Sequence, residues 1–154
     1  MEMQKQLDNP LWQYMLRIYQ KEGVEAALLA LQEQGFNVLI LLSLCWVSAN
    51  NKTLNQSQIG GLTNRVDHSL ISEFRQWRKT LKEDSVFSKI YKKALNFELM
   101  LEQTAVAELY EYLSRLTLEQ ENPEDLKLLL DHYSQLINLP ANDKFGEVLS
   151  AVCD

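Results

Sequence analysis

The chain has 154 residues, 46% of them hydrophobic, with only five glycines and three prolines. That is enough apolar material for one domain with its own core, and too much for wholesale disorder. A formal net charge of −6 has the wrong sign for a generic nucleic-acid binder, and two cysteines, Cys45 and Cys153, supply neither a disulfide framework nor metal-ligand spacing.

The N-terminal MEMQKQLDNP is polar and carries no apolar leader segment. The expectation is a reducing cytoplasm, with residues 1–8 as a flexible tail. Asn9-Pro10 reads as a helix start, a capping Asn followed by Pro at the first helical position. The helix runs to about residue 20, with Leu11, Met15 and Ile18 in one apolar row and Trp12, Leu16 and Tyr19 in the next. Val24, Ala27, Leu28 and Leu31 fall at i, i+3, i+4 and i+7, which predicts a second helix over 24–34. Gly35 then suits the left-handed position just past its end.

Residues 38–49 are apolar except for Ser43 and Ser48. As a helix they reach ~18 Å, whereas a bilayer core is ~30 Å thick. The run is too short to span a membrane, and a helix that is apolar all round belongs at the centre of a bundle. Asn37 can cap it. Residues 50–63, NNKTLNQSQIGGLT, read mostly as loop, with a short helix near 55–62 weakened by Gly60-Gly61. The next helix covers about 64–82. Its Val66, Leu70, Phe74, Trp77 and Leu81 recur at helical spacing and are read as a core-facing stripe.

After a turn at 83–85, a long helix over about 86–117 keeps Ile90, Ala94, Phe97, Leu101, Ala105, Leu109, Tyr112 and Leu116 on one face. Helices over about 124–136 and 140–152 complete the set. The fold expectation is all-α: a single domain over 1–154, a bundle of six to eight helices around the central apolar helix at 37–50, with mostly antiparallel neighbours.

Chemical motifs are missing. There is no Glu-x-x-His, no His-Glu-x-x-His, no Gly-x-Ser-x-Gly and no glycine-rich phosphate loop. No metal and no cofactor is expected. What remains is a polar set. Glu98 and Glu102 lie one helical turn apart on a row with Tyr91, Leu95, Ala105 and Leu109. Both should lean inward, where a carboxylate needs a cation or several donors.

Antiparallel pairing about a turn near residue 84 sets residues level when their numbers sum to about 168. Arg65 then sits at the height of Glu102 and His68 at that of Glu98, while Arg75 and Arg78 lie nearer the turn, level with Lys92 and Ile90. Arg65, His68, Arg75 and Arg78 are candidate partners, as are Arg17 and Lys21 from the first helix. Two readings stand side by side: a salt bridge that fixes helix register, or a polar pocket for a small anionic ligand or a partner's tail.

The charge is also uneven. Residues 65–93 hold eight basic and four acidic side chains, so the rest of the chain carries an excess of ten acidic charges. A run of this kind is ordinarily a solvated face, and otherwise a surface with a preferred partner. Trp77, within Arg75-Gln76-Trp77-Arg78-Lys79, is the sort of aromatic that stacks on RNA bases. Its place in the expected core stripe argues against that role.

Trp12-x-Tyr14-x-Leu16-x-x-Tyr19, Gly23-Val24, Leu31-Gln32-x-x-Gly35, Val38-x-x-Leu41-Leu42 and Trp46 together resemble the N-terminal signature of a bacterial family of unknown function. Its members are short and all-helical. Phe74-Arg75-x-x-Arg78-x-x-Leu81-Lys82 and Glu98-Leu99-x-x-Glu102 are similar to later parts of it, so the likeness covers about residues 10–110. The resemblance implies a cytoplasmic, single-domain bacterial protein and brings no activity. It marks Trp12, Tyr19, Gln32, Trp46, Arg75, Arg78, Glu98 and Glu102 as site candidates. Of these, Gln32 is the oddest physically, a polar residue at the border of an apolar face that can bond across helices.

The functional expectation is a non-enzymatic cytoplasmic interaction or adaptor protein, with a protein partner or self-association and no membrane. The alternative is a small-ligand binder or enzyme that uses Glu98 and Glu102 as acid and base groups, with Arg75 or Arg78 holding an anion. A third reading, less favoured, is RNA or ribosome association through residues 75–93.

Overall fold

The computed structural model describes residues 7–66, 68–83, 85–116, 119–120 and 126–139. The helix expected over 140–152 and most of the expected N-terminal tail lie outside them. Among the described residues are seven helices: α1 (Pro10–Tyr19), α2 (Val24–Glu33), α3 (Val38–Ala49), α4 (Gln56–Thr63), α5 (His68–Thr80), α6 (Ser88–Arg115) and α7 (Leu126–Leu136). The two-residue strands β1 (Lys52–Thr53) and β2 (Glu119–Gln120) pair antiparallel. The architecture is all-α, as the periodicity predicts.

Each of the first three helices begins or ends on the expected signal. The Asn9 side chain accepts the Trp12 N–H at 2.8 Å, ahead of Pro10. Gly35 takes the left-handed conformation after α2, at φ 104°. Asn37 Oδ1 accepts the Leu39 N–H at 3.0 Å and starts α3.

Helix α3 is the centre. Residues 38–45 and Val47 are all buried, and α1, α2 and α7 pack around it. The hydroxyl of buried Ser43 donates to the Leu39 carbonyl at 2.8 Å, so no polar group is stranded there. Tyr133 of α7 accepts the Asn37 N–H at 3.1 Å, which ties α7 to the start of α3. No described helix is long and apolar enough to cross a membrane.

Helix α4 forms straight through Gly60-Gly61. A reciprocal cap offsets the poor propensity: Asn55 Oδ1 accepts the Gln58 N–H at 2.8 Å, and Gln58 Oε1 accepts the Asn55 N–H at 3.0 Å. The two glycines differ. A Cβ at Gly61 would lie 2.1 Å from the Tyr112 hydroxyl and 2.7 Å from the ring carbon that bears it. That hydroxyl donates to the Gln58 carbonyl at 3.2 Å. Gly61 is therefore the seat of the Tyr112 ring. A Cβ at Gly60 would meet only the Leu136 side chain, at 4.0 Å.

Helix α6 has 28 residues and is ~42 Å long. Its C-terminal half buries Ala105, Val106, Leu109 and Leu113 in contact with α1 and α4. Its N-terminal half pairs with α5 as a two-helix arm, and α6 is the main packing partner of α5.

Here the sequence expectation fails. The Val66–Leu81 stripe is not core-facing along its length: Leu70 is 56% and Trp77 50% exposed, and on α6 Ile90 and Phe97 are half exposed too. α5 instead turns Ile71, Arg75 and Arg78 inward, and no described element crosses the apolar flank. Periodicity identifies an apolar face; it does not say what covers it.

Gly61→Ala is expected to destabilise the protein by ~1–3 kcal/mol through overpacking against Tyr112. Gly60→Ala should stabilise it by ~0.5–1 kcal/mol through helix propensity. Urea unfolding of the two variants checks this, and equal effects would contradict the assignment of Gly61 as the ring's seat.

Candidate functional site

Helix α6 presents Glu98 and Glu102 one turn apart, and α5 meets them with two arginines. Arg75 Nε donates to Glu98 Oε1 at 2.5 Å, and its Nη2 donates to Glu102 Oε1 at 2.7 Å. Arg78 Nε donates to the other oxygen, Glu98 Oε2. Arg78 also donates through Nη1 to the Tyr91 hydroxyl at 3.1 Å and lies 5.5 Å from that ring's centroid. Glu98 is buried, and both of its oxygens are held by separate guanidinium groups. The quartet carries no net charge, which is what allows it to sit between helices.

Both arginines bond carboxylates that lie further from the turn than the residues level pairing sets beside them. Helical side chains tilt toward their own N-terminus. In an antiparallel pair, Arg75 therefore reaches toward the base of the arm while Glu98 and Glu102 tilt toward its tip. The opposed tilts bring the guanidinium and carboxylate groups together.

The protonation of each group follows from its surroundings. Burial alone would raise the Glu98 pKa, but hydrogen bonds and charge from Arg78 and Arg75 hold it below the ordinary carboxylate range. Burial opposes the charge on Arg75 as well, yet Glu98 and Glu102 raise its pKa. Glu102 goes the other way. Burial raises its pKa, Arg75 pulls it down, and the neighbouring charge of Glu98 helps keep it above the ordinary range. The Tyr19 phenol is pushed up to about 12, chiefly by burial and then by Glu102. The Tyr19 residue as a whole is 42% exposed, so this burial belongs to its hydroxyl end at the cleft.

That cleft joins five helices. Tyr19 of α1, Gln32 of α2, Asn37 and Val38 at the start of α3, Ile71 and Arg75 of α5, and Glu102 of α6 line it. Its interior is about 20 Å³, room for about one water molecule and far below the ~300 Å³ of even a small ligand site. Glu98, ionised and held at both oxygens, is a poor proton acceptor. Glu102 has the raised pKa that acid–base chemistry needs, but the space beside it does not admit a metabolite.

The expected site residues thus divide. Arg75, Arg78, Glu98 and Glu102 come together, and Tyr19 and Gln32 join them across the cleft. Arg65 does not: its guanidinium lies 5.0 Å from the centroid of the Tyr112 ring. Trp12 packs against the core, as does Trp46, whose ring lies 6.0 Å from Tyr110. Arg17 stands over Tyr14, at 5.8 Å. The His68 expectation concerns a side chain outside the described ones. Asn37 and Ile71 also line the cleft; a capping signal hides the first, and the second lies off the α5 stripe that periodicity marks. Among the described residues no group of three metal-ligating side chains occurs.

A second, open hollow of about 250 Å³ is lined by Gln56, His132, Gln135 and Leu136, where α4 meets α7. The His132 Nδ1 is buried there without a hydrogen-bond partner.

The family described as protein of unknown function (DUF2390) matches the chain over residues 10–109. No curated protein and no solved structure matches it.

Glu98→Gln leaves two arginines facing a neutral side chain and should cost ~3–5 kcal/mol at neutral pH. Because the folded Glu98 pKa is depressed, its contribution is complete above about pH 4.5 and is lost as pH falls through the folded value. The stability gap between wild type and Glu98→Gln should therefore narrow below that pH. Glu102 has the opposite sign, since its raised pKa makes ionisation above about pH 4.5 reduce stability. Chemical unfolding across pH 3–7 checks this, and a pH-independent Glu98 gap would contradict an ionised carboxylate.

Proposed function

Since the chain belongs to that family of unknown function, which hands down no activity, we propose on physical grounds that the protein works by contact: a non-enzymatic interaction protein whose docking element is the α5–α6 arm. The observation that carries this reading is the division of the arm into two flanks. One flank is the saturated arginine–glutamate quartet. The other bears Leu70, Trp77, Ile90, Phe97 and Met100, each at least 48% exposed. Contiguous exposed apolar surface of this kind marks contact sites on soluble proteins. The partner is a protein, because an apolar row asks for an apolar counterpart.

The small-ligand or enzyme alternative is weakened by the same geometry, as its proposed acid and base are paired and the adjoining cleft holds about one water. The RNA reading gains one point, that Trp77 is accessible. It loses another, that Arg75 and Arg78 are committed to carboxylates and not available to phosphates. The whole-chain charge of −6 also stands against it.

A thermal-shift and turnover screen against metabolites, nucleotides and metal ions tests the choice. The contact reading predicts no turnover and no ligand-dependent shift that Glu102→Gln removes. A bound ligand at ~100 times its Kd would add about 2.7 kcal/mol, a shift of several degrees. Such a shift, lost in Glu102→Gln while the variant stays folded, would overturn the reading in favour of a site.

A further inference from the structure

We infer that the arm receives an acidic amphipathic helix from a partner protein, an inference that rests on reading the arm as the docking element. The first ground is shape. The Phe74 ring lies 5.0 Å from Phe97 and 5.5 Å from Trp77, centroid to centroid. These rings join the exposed flank of α5 to that of α6. Leu70 and Met100 extend the row toward the base of the arm, and Ile90 extends it toward the turn. An apolar row along two antiparallel helices is the receptor surface for a third helix laid alongside. The 13 residues of α5 give it a length of ~20 Å, which matches an amphipathic segment of about four turns.

The second ground is charge. Lys93 is exposed and sits inside the row, at i+3 from Ile90, i−4 from Phe97 and i−7 from Met100. Any partner that covers the row also covers this ammonium group, and a buried charge requires a paired opposite one. Lys89 stands one turn before Lys93 on the same border, and Lys82 lies in the turn; both are exposed. Glu73 stands in the same relation to the α5 part of the row, at i+3 from Leu70 and i−4 from Trp77, and Glu83 lies beside Lys82, so three ammonium groups meet two carboxylates on this face. The face therefore selects carboxylates on a partner helix whose other side is apolar.

Other occupants fit less well. A second copy docking face to face brings its own Lys89 and Lys93 with a single Glu73 into the same interface, so the lysines stay in excess. Docked through some other surface, it makes a contact that propagates and does not close. RNA would answer the lysines but leave Leu70, Ile90 and Met100 uncovered. A lipid surface would meet the tip of the arm, whereas the row runs along its length.

Two synthetic helical peptides of about 16 residues test the inference, a length set by the arm. They share one leucine–isoleucine stripe and differ only in carrying glutamate or lysine at the remaining positions. Binding to the full chain is followed by calorimetry. The acidic peptide should bind at least about tenfold more tightly at low salt, with the advantage shrinking as ionic strength rises. Lys89→Glu/Lys93→Glu should reverse the preference. Trp77→Ser/Phe97→Ser should weaken binding at least about tenfold, with the fold checked by circular dichroism.

If both peptides bind equally and lose binding in Trp77→Ser/Phe97→Ser, the acidic partner is wrong but the docking surface stands. The same holds if the protein alone sediments as a dimer that this double variant dissolves. If neither peptide binds, or binding ignores Trp77 and Phe97, both the inference and the docking reading fall. An RNA oligonucleotide that binds the arm more tightly than the acidic peptide would also overturn the inference.

Discussion

A single buried carboxylate sets the geometry of the α5–α6 arm. Glu98 holds Arg75 on one oxygen and Arg78 on the other, and α5 has no other main packing partner than α6. The rotation of α5 about its own axis is therefore fixed by ionic hydrogen bonds more than by apolar burial. Their directionality matters. With both arginines turned to α6, the aromatic residues of α5 must lie on the remaining flank. The exposed row is thus a consequence of the lock: the same rotation that satisfies Glu98 puts Trp77 and Leu70 in water.

The lock is anchored to the rest of the fold at one end. Ile71 is buried and belongs to the core cluster, and Arg75 reaches Glu102 beside the cleft shared with Tyr19, Gln32 and Asn37. Asn37 in turn begins the apolar helix α3 and bonds to Tyr133 of α7. A chain of contacts so runs from the centre of the bundle to the base of the arm. The two glutamates divide the electrostatic roles. Glu98 takes most of the cationic charge and stays ionised to low pH. Glu102 shares what is left, and its charge and that of Glu98 oppose each other. Burial is the main cause of the Glu102 upward shift and the Glu98 charge adds to it, just as the Glu102 charge adds to the larger effect of burial on the Tyr19 phenol.

Much of this was legible in the sequence, for identifiable reasons. Asn9-Pro10, Gly35 and Asn37 are local signals whose physics acts within one turn, so α1 to α3 fell where expected. The inward lean of Glu98 and Glu102 followed from their row. Two things were not legible. The α5 stripe at Leu70, Phe74 and Trp77 has a clear period, but a period fixes a face relative to the helix and not relative to its neighbours. And of four candidate cations on the hairpin, level pairing favoured Arg65 and His68, because it counted Cα heights and ignored the opposed tilts of long side chains. Tyr19 and Gln32 were marked by family resemblance alone; no spacing rule joins residues on five different helices.

Hydrogen exchange by mass spectrometry, on wild type and Glu98→Gln, tests the central claim most directly. If the carboxylate is what fixes α5 on α6, the variant should lose amide protection over α5 and residues 88–104 of α6. Protection in α3 and in the C-terminal half of α6 should stay close to wild type. Unchanged protection in α5, or a uniform loss through α3, would contradict it: the arm would then be held by apolar packing or be part of the core, and the exposed row would need another explanation.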